Sequence, residues 1–450
     1  MSKRLIVVLA LALVVGLTFT AYAEVQNVKV SGDIVASGVL RKHFNLASGA
    51  EGDKKNINQS FFMTQTRVRV DADLTDNVMA TVRLINERVW NGQNDTASEG
   101  SGNIDLDLAY VTLKEFLYSP LSLSIGRQEI HFGNGLIISN ARIPSGVVNI
   151  PTDLTERKAF DSIRATLNYD PLIIDLIYAK INEQSTIRNN DTNLYGVNAT
   201  YDINNKVNVS GYYFLKSDNN PGSVGNSNGK ADKVNTIGVL VASKPIENLN
   251  VSLEGAFQFG KTDGASDTST TYNRHKAFAF QAMADYTFAK VKTTPMVGAS
   301  YTYLSGNKSA TASREDAWDP MFYDQNLGNI AYALLAYTDL SVWNLKASFK
   351  PMEDVTMSML YGYFDMAKAK DGAWVYNSAY RYDGTNRYIT SAPIRAGKSH
   401  LGDELDATIT YDYTEDVQFG LTAGLFMPGK AWDVEKQNAT QLIGSMKVTF

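Results

Sequence analysis

Residues 249–288, LNVSLEGAFQFGKTDGASDTSTTYNRHKAFAFQAMADYTF, decide the fold. Leu249, Val251, Leu253, Gly255, Phe257 and Phe259 alternate with Ser252, Glu254 and Gln258. After a polar interval, Phe278, Phe280, Ala282, Ala284, Tyr286 and Phe288 alternate with Gln281 and Asp285. A period of two is the mark of a strand whose two faces meet different surroundings. Here one face is apolar and the other carries charges and amides, which fits lipid on one side and a wet lumen on the other better than the core of a two-sheet sandwich. A tilted strand of roughly 9 to 11 residues is enough to cross a bilayer.

The same rhythm extends in both directions. Val355-Met357-Met359-Tyr361-Tyr363 and Leu405-Ala407-Ile409-Tyr411-Tyr413 repeat it, and in all the spacing predicts eighteen strands between residues 28 and 450. Short connections are expected at 74–77, 116–120, 170–171, 203–205, 244–248, 289–290, 350–354 and 414–416. Long polar ones fall near 41–60, 91–103, 132–159, 181–192, 217–233, 261–275, 305–338, 367–402 and 428–438. Long and short alternate without exception, and an even strand number returns both termini to one side, as in single-chain outer-membrane barrels. The expected fold is therefore all-β, a transmembrane antiparallel up-and-down barrel of about eighteen strands with its long loops extracellular.

The ends of the chain agree with export. Lys3 and Arg4, the apolar stretch from Leu5 to Phe19, and Ala21-Tyr22-Ala23 form the three parts of a secretory signal peptide, so 1–23 is expected to be removed and 24–450 to form a single domain. Loss of Lys3 and Arg4 takes the formal charge from −5 to −7, and that acidity argues against a nucleic-acid binder. The absence of cysteine excludes disulfides and thiolate metal sites, and no cofactor is expected. The 24 tyrosines and 19 phenylalanines suit two interfacial girdles. Phe450 closes the last alternating strand, as in outer-membrane proteins generally, where this end is the signal to the barrel-assembly machinery.

A barrel this wide leaves an aqueous channel, so function turns on what lines it. Parity places Arg67, Arg69, Arg83 and Arg164 inside, with the acids Asp71, Asp73, Asp105, Asp107, Asp175, Glu254, Asp285, Glu404 and Asp406. One place breaks the pattern. Leu121, Leu123 and Ile125 face lipid, so strict alternation sends Arg127 and Glu129 outward too, at up to about 2 to 4 kcal/mol for a mid-membrane arginine. A bulge at Gly126 would turn Arg127 inward; otherwise the pair lies at the rim.

The segment Gly126-Arg127-Gln128-Glu129-Ile130-His131-Phe132-Gly133 resembles the Gly-Arg-Gln-Glu-Leu-x-Tyr-Gly motif of the bacterial alginate export family. Arg157 and Phe160-Asp161-Ser162-Ile163-Arg164 resemble its Arg-x-Phe-Asp-x-x-Arg element, with one extra residue between Arg157 and Phe160. Asp319-Pro320-Met321-Phe322 with Gly328, Asp339 and Asn344, and Gly402-Asp403-Glu404-Leu405-Asp406 with the strand from Leu421 to Gly429, are similar to two later family segments. The resemblance implies an eighteen-stranded barrel with an arginine-lined constriction for an anionic polymer, lined or braced here by Arg127, Asp161 and Arg164. The chain departs from the family where a further basic residue is usual, since Asn134-Gly135-Leu136-Ile137-Ile138 is neutral.

The expected activity is passive transport of an anionic oligosaccharide, polysaccharide or small acid, with pore-lining residues Arg67, Arg69, Arg83, Asp105, Asp107, Arg127, Glu129, Asp161, Arg164, Glu404 and Asp406. A general-diffusion porin is the alternative. A rim hydrolase would need an acid and base, for which His131 beside Glu129 is the nearest arrangement, and a sheath around a partner protein is a further class. Loops 305–338 and 367–402 are long enough to cover the mouth. Outer-membrane lipid and lipopolysaccharide are the expected surroundings.

Overall fold

The computed structural model describes residues 27–44, 46, 58–90, 104–141, 150–183, 191–219, 231–263, 272–308, 314–371, 374–376, 392–433 and 436–450. The leader, and with it the cleavage expected after residue 23, lies outside the described residues.

The strands are β1 (Asn27–Lys42), β2 (Gln59–Thr75), β3 (Val78–Val89), β4 (Asp105–Leu113), β5 (Leu121–Gln128), β6 (Phe160–Asn168), β7 (Leu172–Asn182), β8 (Thr192–Asn204) and β9 (Val207–Asp218). They continue as β10 (Asp232–Ser243), β11 (Leu249–Asp263), β12 (Tyr272–Thr287), β13 (Met296–Leu304), β14 (Arg314–Glu315), β15 (Leu340–Met352), β16 (Val355–Met366), β17 (Trp374–Tyr376), β18 (Ala392–Ile394), β19 (His400–Asp412), β20 (Val417–Pro428) and β21 (Ala439–Thr449). Eighteen of them form one antiparallel sheet that closes where β1 pairs with β21, from Asp33↔Thr449 to Lys42↔Thr440. Closure leaves no edge, so every strand has two partners. Each expected crossing overlaps one of these strands.

Four elements among the described residues are additional and lie in the long connections. The two-residue β14 runs parallel to the start of β12, β17 pairs with β18, and a single helical turn α1 spans Asn329–Leu334. No helix among the described residues is long and apolar enough to cross a membrane.

Burial is inverted relative to a soluble protein. Leu253, Phe257, Phe259, Phe278, Phe280, Trp343, Leu345, Leu405 and Leu421 are exposed, while Glu254, Gln258, Gln281, Asn344, Glu404 and Asp406 are buried. An apolar band of this extent on the outside marks contact with lipid. The hydrophobic core is inside the barrel. Phe44, Leu46, Ile130, Leu136, Ile137 and Ile138 meet Trp318, Met321, Phe322, Leu327, Ile330, Leu334 and Tyr337 there, against Phe214, Ala256, Ala277, Phe364 and Phe426 of the wall. Residues 317–337 of the long connection thus fill the lumen instead of lying across its mouth, because 330–337 are too apolar to remain in water.

Candidate channel lumen

Two different walls face the lumen. Along β1–β7 the inward face carries a series of ion pairs. The Arg67 guanidinium donates to Asp33 at 2.7 Å and reaches Glu156 at 3.2 Å; Arg69 donates to Asp71 at 2.7 Å, and Arg83 to Asp107 at 2.6 Å and to Glu129. Arg164 donates to Asp175 at 2.8 Å and lies over the Phe132 ring at 5.6 Å. Residues 150–158 line the same wall. Arg157 joins Glu87 at 3.1 Å and Asp105 at 2.6 Å, Arg41 bonds Asp153, and Gln65 donates to the Leu154 carbonyl at 2.8 Å. Charges removed from water persist only when paired, and each of these arginines has its carboxylate.

From β9 to β20 the wall holds a plug made of residues 130–141 and 317–337. Its two segments are joined backbone to backbone: Ser139 N donates to Phe322 O at 2.7 Å, Phe322 N to Ile137 O at 3.0 Å, and Asp324 N to Gly135 O at 2.9 Å. Side-chain amides hook it to the strands. Gln258 exchanges two 2.8 Å bonds with the backbone of Asp319, Gln281 and Gln325 exchange two of 2.9 Å, and Asn344 donates to Leu327 O at 2.8 Å. Lys216 pairs with Asp319, and Lys158 with Asp324 at 2.5 Å.

Glu404 and Asp406 belong to this second wall. The first amides of a helix have no partner within it, and here the carboxylates supply one. Ile330 N and Ala331 N donate to Glu404 at 2.6 and 2.8 Å, and Asn329 N donates to Asp406 at 2.9 Å. Both acids are inside the barrel as parity requires, but they hold α1 and do not face open solvent. The plug descends to Asn134, which donates to Ser252 of β11 at 3.1 Å, and a cavity of about 660 Å³ lies at this level among Asn134, Asp202, Asn208, Asn250 and Asp285.

The Asp319 carboxyl is enclosed in the plug. Burial alone would raise its pKa, but the charge and hydrogen bond of Lys216, with the Met321 amide, hold it below the usual carboxylate value. Asp339, at the top of the plug, is pushed up, because burial outweighs its pairing with Lys370.

Arg127 and Asp161 correct the sequence reading. Register runs unbroken through β5, with Ile125↔Ile163, Gly126↔Ser162 and Arg127↔Asp161. Phe160, Ser162 and Gln128 are buried inward, so Arg127 and Asp161 point outward, near the strand ends that carry the long loops. Their pair spans 3.0 Å. Gly126 still has to be glycine, since at φ +124° a Cβ would stand 2.1 Å from the Ala109 carbonyl oxygen. The extra residue sits on the neighbouring strand instead. Arg83 opposes Leu108 and Leu84 opposes Leu106, which leaves Asp107 as a bulge with its carboxylate inside beside Arg83. Arg127 donates to the bulged carbonyl of Asp107 at 3.1 Å from the outer face.

The remaining candidates fall where parity places them. Arg67, Arg69, Arg83, Arg164, Asp105 and Asp107 are on the first wall, and Glu129 reaches it through Arg83. His131 contacts the Ser139 hydroxyl and the Gly133 carbonyl, while Glu129 accepts from Arg83. Sequence reasoning missed Arg41, Glu87, Asp153 and Glu156 of the ion-paired wall and Lys216 of the plug wall. Glu87 and Lys216 sit at inward strand positions, which was the available signal.

A profile of the alginate export family matches residues 40–444. Comparison with curated protein sequences finds no match. Among solved structures the chain is similar to OccK8 (OprE) of Pseudomonas aeruginosa, with TM-score 0.57 and 12% identity over 95% of this chain and 99% of that one. It is similar to a BenF-like porin of Pseudomonas fluorescens, with TM-score 0.56 and 9% identity over 95% and 100%. It is also similar to Pseudomonas aeruginosa OccK2 (OpdF) in complex with glucuronate, with TM-score 0.55 and 10% identity over 95% and 99%.

Proposed function

Since the chain belongs to the alginate export family and is an outer-membrane channel of Gram-negative type, we propose that it passes hydroxylated carboxylates of the uronate class along the ion-paired wall of β1–β7. The plug occupies the facing wall, so the path left to a solute borders the arginines. The carrying observation is that guanidinium and carboxylate alternate on this wall, which offers donors to a solute carboxylate and acceptors to its hydroxyls. Exposure separates the arginines. The side chains of Arg69 and Arg164 are 36% and 30% exposed, against 0%, 10% and 9% for Arg41, Arg83 and Arg157. Arg69 and Arg164 are therefore the groups that meet the solute, and the others brace the wall. The family's description and the glucuronate complex of OccK2 support the same class of solute.

A general-diffusion porin is the second reading, and one observation favours it. Nine carboxylates stand against six guanidiniums in the inward pairs on this wall, which leaves it net acidic. Planar-bilayer conductance with added oligouronate separates the two. Block by the oligouronate, lost in Arg69→Gln/Arg164→Gln, supports the first reading; cation preference with no block supports the second and overturns the first.

A further inference from the structure

Below the plug, at the barrel end carrying the short turns, β8–β12 present one inward rung of short side chains. Asp202, Asn208, Ala242, Ser252 and Met283 are cross-strand neighbours there. Asn250 and Asp285 oppose one another on the next inward rung, nearer the periplasm. On β11 and β12 the parity is that of Glu254 and Gln281, which are buried inside the barrel, so the rung faces the lumen. These residues border the cavity of about 660 Å³, a size within the roughly 300–1,000 Å³ of sites for small organic ligands.

The lining is held in place from three sides. Asp285 lies across Gly298 of β13, where a Cβ would overlap its carboxylate oxygen, so the acid rests against the wall only because its neighbour is glycine. Asn208 donates to Asp202 at 2.5 Å and fixes that carboxylate. From above, the plug contributes Asn134, in a tight turn between Gly133 and Gly135 at φ +57° and +75°, tied to Ser252 at 3.1 Å. Asp202 and Asn250 are exposed, and Asn134, Asn208, Ser252 and Asp285 are half-buried.

The chemistry of this lining selects its ligand. An amide offers donors and an acceptor on one group, and a carboxylate accepts on two oxygens, which together match vicinal hydroxyls. Ala242 and Met283, set among them, give an apolar patch for the C–H face of a sugar ring. A divalent cation does not fit, because Asp202 and Asp285 stand four strands apart, about 19 Å along the wall at about 4.8 Å per strand. Oxygen ligands of one calcium ion all lie within about 2.6 Å of it. An anion does not fit either, since Asp170, Asp202 and Asp285 outnumber Lys206 and Lys244 around the cavity.

We propose that this cavity binds a neutral saccharide of one or two rings, with Asp202, Asn208, Asn250 and Asp285 taking its hydroxyls and Asn134 closing over it from the plug. The site is separate from the uronate path along β1–β7, because none of these residues belongs to that wall. A ligand held by wall and plug tip together favours the docked plug, through its preference for that state.

The test is isothermal titration calorimetry of the refolded full-length barrel with glucose, mannose, galactose, maltose and lactose, each beside glucuronate. Expected is saturable binding of at least one neutral sugar, with glucuronate weaker. Asn250→Ala/Asp285→Ala is expected to weaken that sugar about tenfold or more, at about three- to tenfold for each lost hydrogen bond, and to leave any oligouronate block in planar bilayers as in wild type. Arg69→Gln/Arg164→Gln is expected to leave sugar binding unchanged, so this site and the uronate path fail or stand separately. Asn250→Ala alone, at an exposed position, serves if the double variant folds poorly, and Asn134→Ala reads the contribution of the plug tip; each is expected to lose about three- to tenfold. Absence of saturable binding with all five sugars overturns the proposal. So does sugar affinity unchanged in the Asn250→Ala variants, or glucuronate bound as tightly as the best sugar, which would make the cavity a part of the uronate path.

Discussion

Along β1–β7 the inward charges are guanidiniums and carboxylates that satisfy one another, whereas along β9–β20 amides and the acids Glu404 and Asp406 satisfy the backbone of a loop that packs on apolar side chains of the wall. The first wall needs nothing further and presents a polar face to the solute. The second is complete only with its plug, since Gln258, Asn344, Glu404 and Asp406 have as partners the backbone of residues 319–331. Buried polar groups without partners cost far more than satisfied ones contribute. The same alternation therefore yields a conducting surface on one side and a socket on the other, according to whether the inward residues pair with each other or with a loop.

The largest expected effect comes from emptying the socket. Glu404→Ala/Asp406→Ala removes three hydrogen bonds to the first turn of α1 and leaves three amides without acceptors, at about 1 to 3 kcal/mol each. A loss near 5 kcal/mol is enough to swing a two-state equilibrium by about 10³ to 10⁴. Single-channel conductance in planar bilayers should rise several-fold, as the first wall stays in place. An unchanged conductance in the folded variant would mean that the apolar contacts of Phe322, Ile330 and Leu334 hold the plug without the acids.

Next in size is an acid-triggered release at Asp319. Its pKa in the docked plug lies below the unfolded value, because Lys216 and the Met321 amide overcome the effect of burial. The contribution to docking is therefore present above the unfolded pKa and lost as pH falls through the docked one. Conductance should be flat from neutral pH down to about 4, the ordinary aspartate value, and should rise only below it. Asp319→Asn should remove that rise and show part of it already at neutral pH. Asp339 works in the opposite sense, since its raised pKa means that protonation favours the docked state. A rise that begins well above pH 4 would point to groups other than Asp319.

How much of this was legible follows the same division. Strand positions, number and sidedness could be read because lipid and lumen impose a period of two on every crossing. The inward acids Glu404 and Asp406 could be read as inward, but not as helix caps, because their partners are backbone amides 73 to 77 residues earlier in the chain. The plug carries a signal in its composition: the run Ile330-Ala331-Tyr332-Ala333-Leu334-Leu335-Ala336-Tyr337 is too apolar for an exposed loop, and Leu136-Ile137-Ile138 is its partner. The bulge lies on β4 at Asp107 and not on β5 at Gly126. A bulge is a mismatch in count between two strands, and the residues of β5 alone carry no record that β4 holds the extra one at Asp107.

That mismatch sets the last and finest comparison, between the two arginines on either side of Asp107. Arg83 is inside and meets the buried carboxylate; Arg83→Ala leaves that charge unpaired, at about 3 to 5 kcal/mol, and should shift the urea unfolding midpoint clearly while moving ion selectivity toward cations. Arg127 touches the carbonyl of the same residue from outside and shares an exposed pair with Asp161. Exposed pairs contribute about 0 to 1 kcal/mol, and at the strand end little is gained by removing a charge from lipid. Arg127→Ala should leave conductance and reversal potential unchanged and shift the unfolding midpoint by about 1 kcal/mol or less. A change in selectivity equal to that of Arg83→Ala would mean that the Arg127 side chain passes through the bulge to the lumen, and that the outward register of β5 does not decide where its charge is felt.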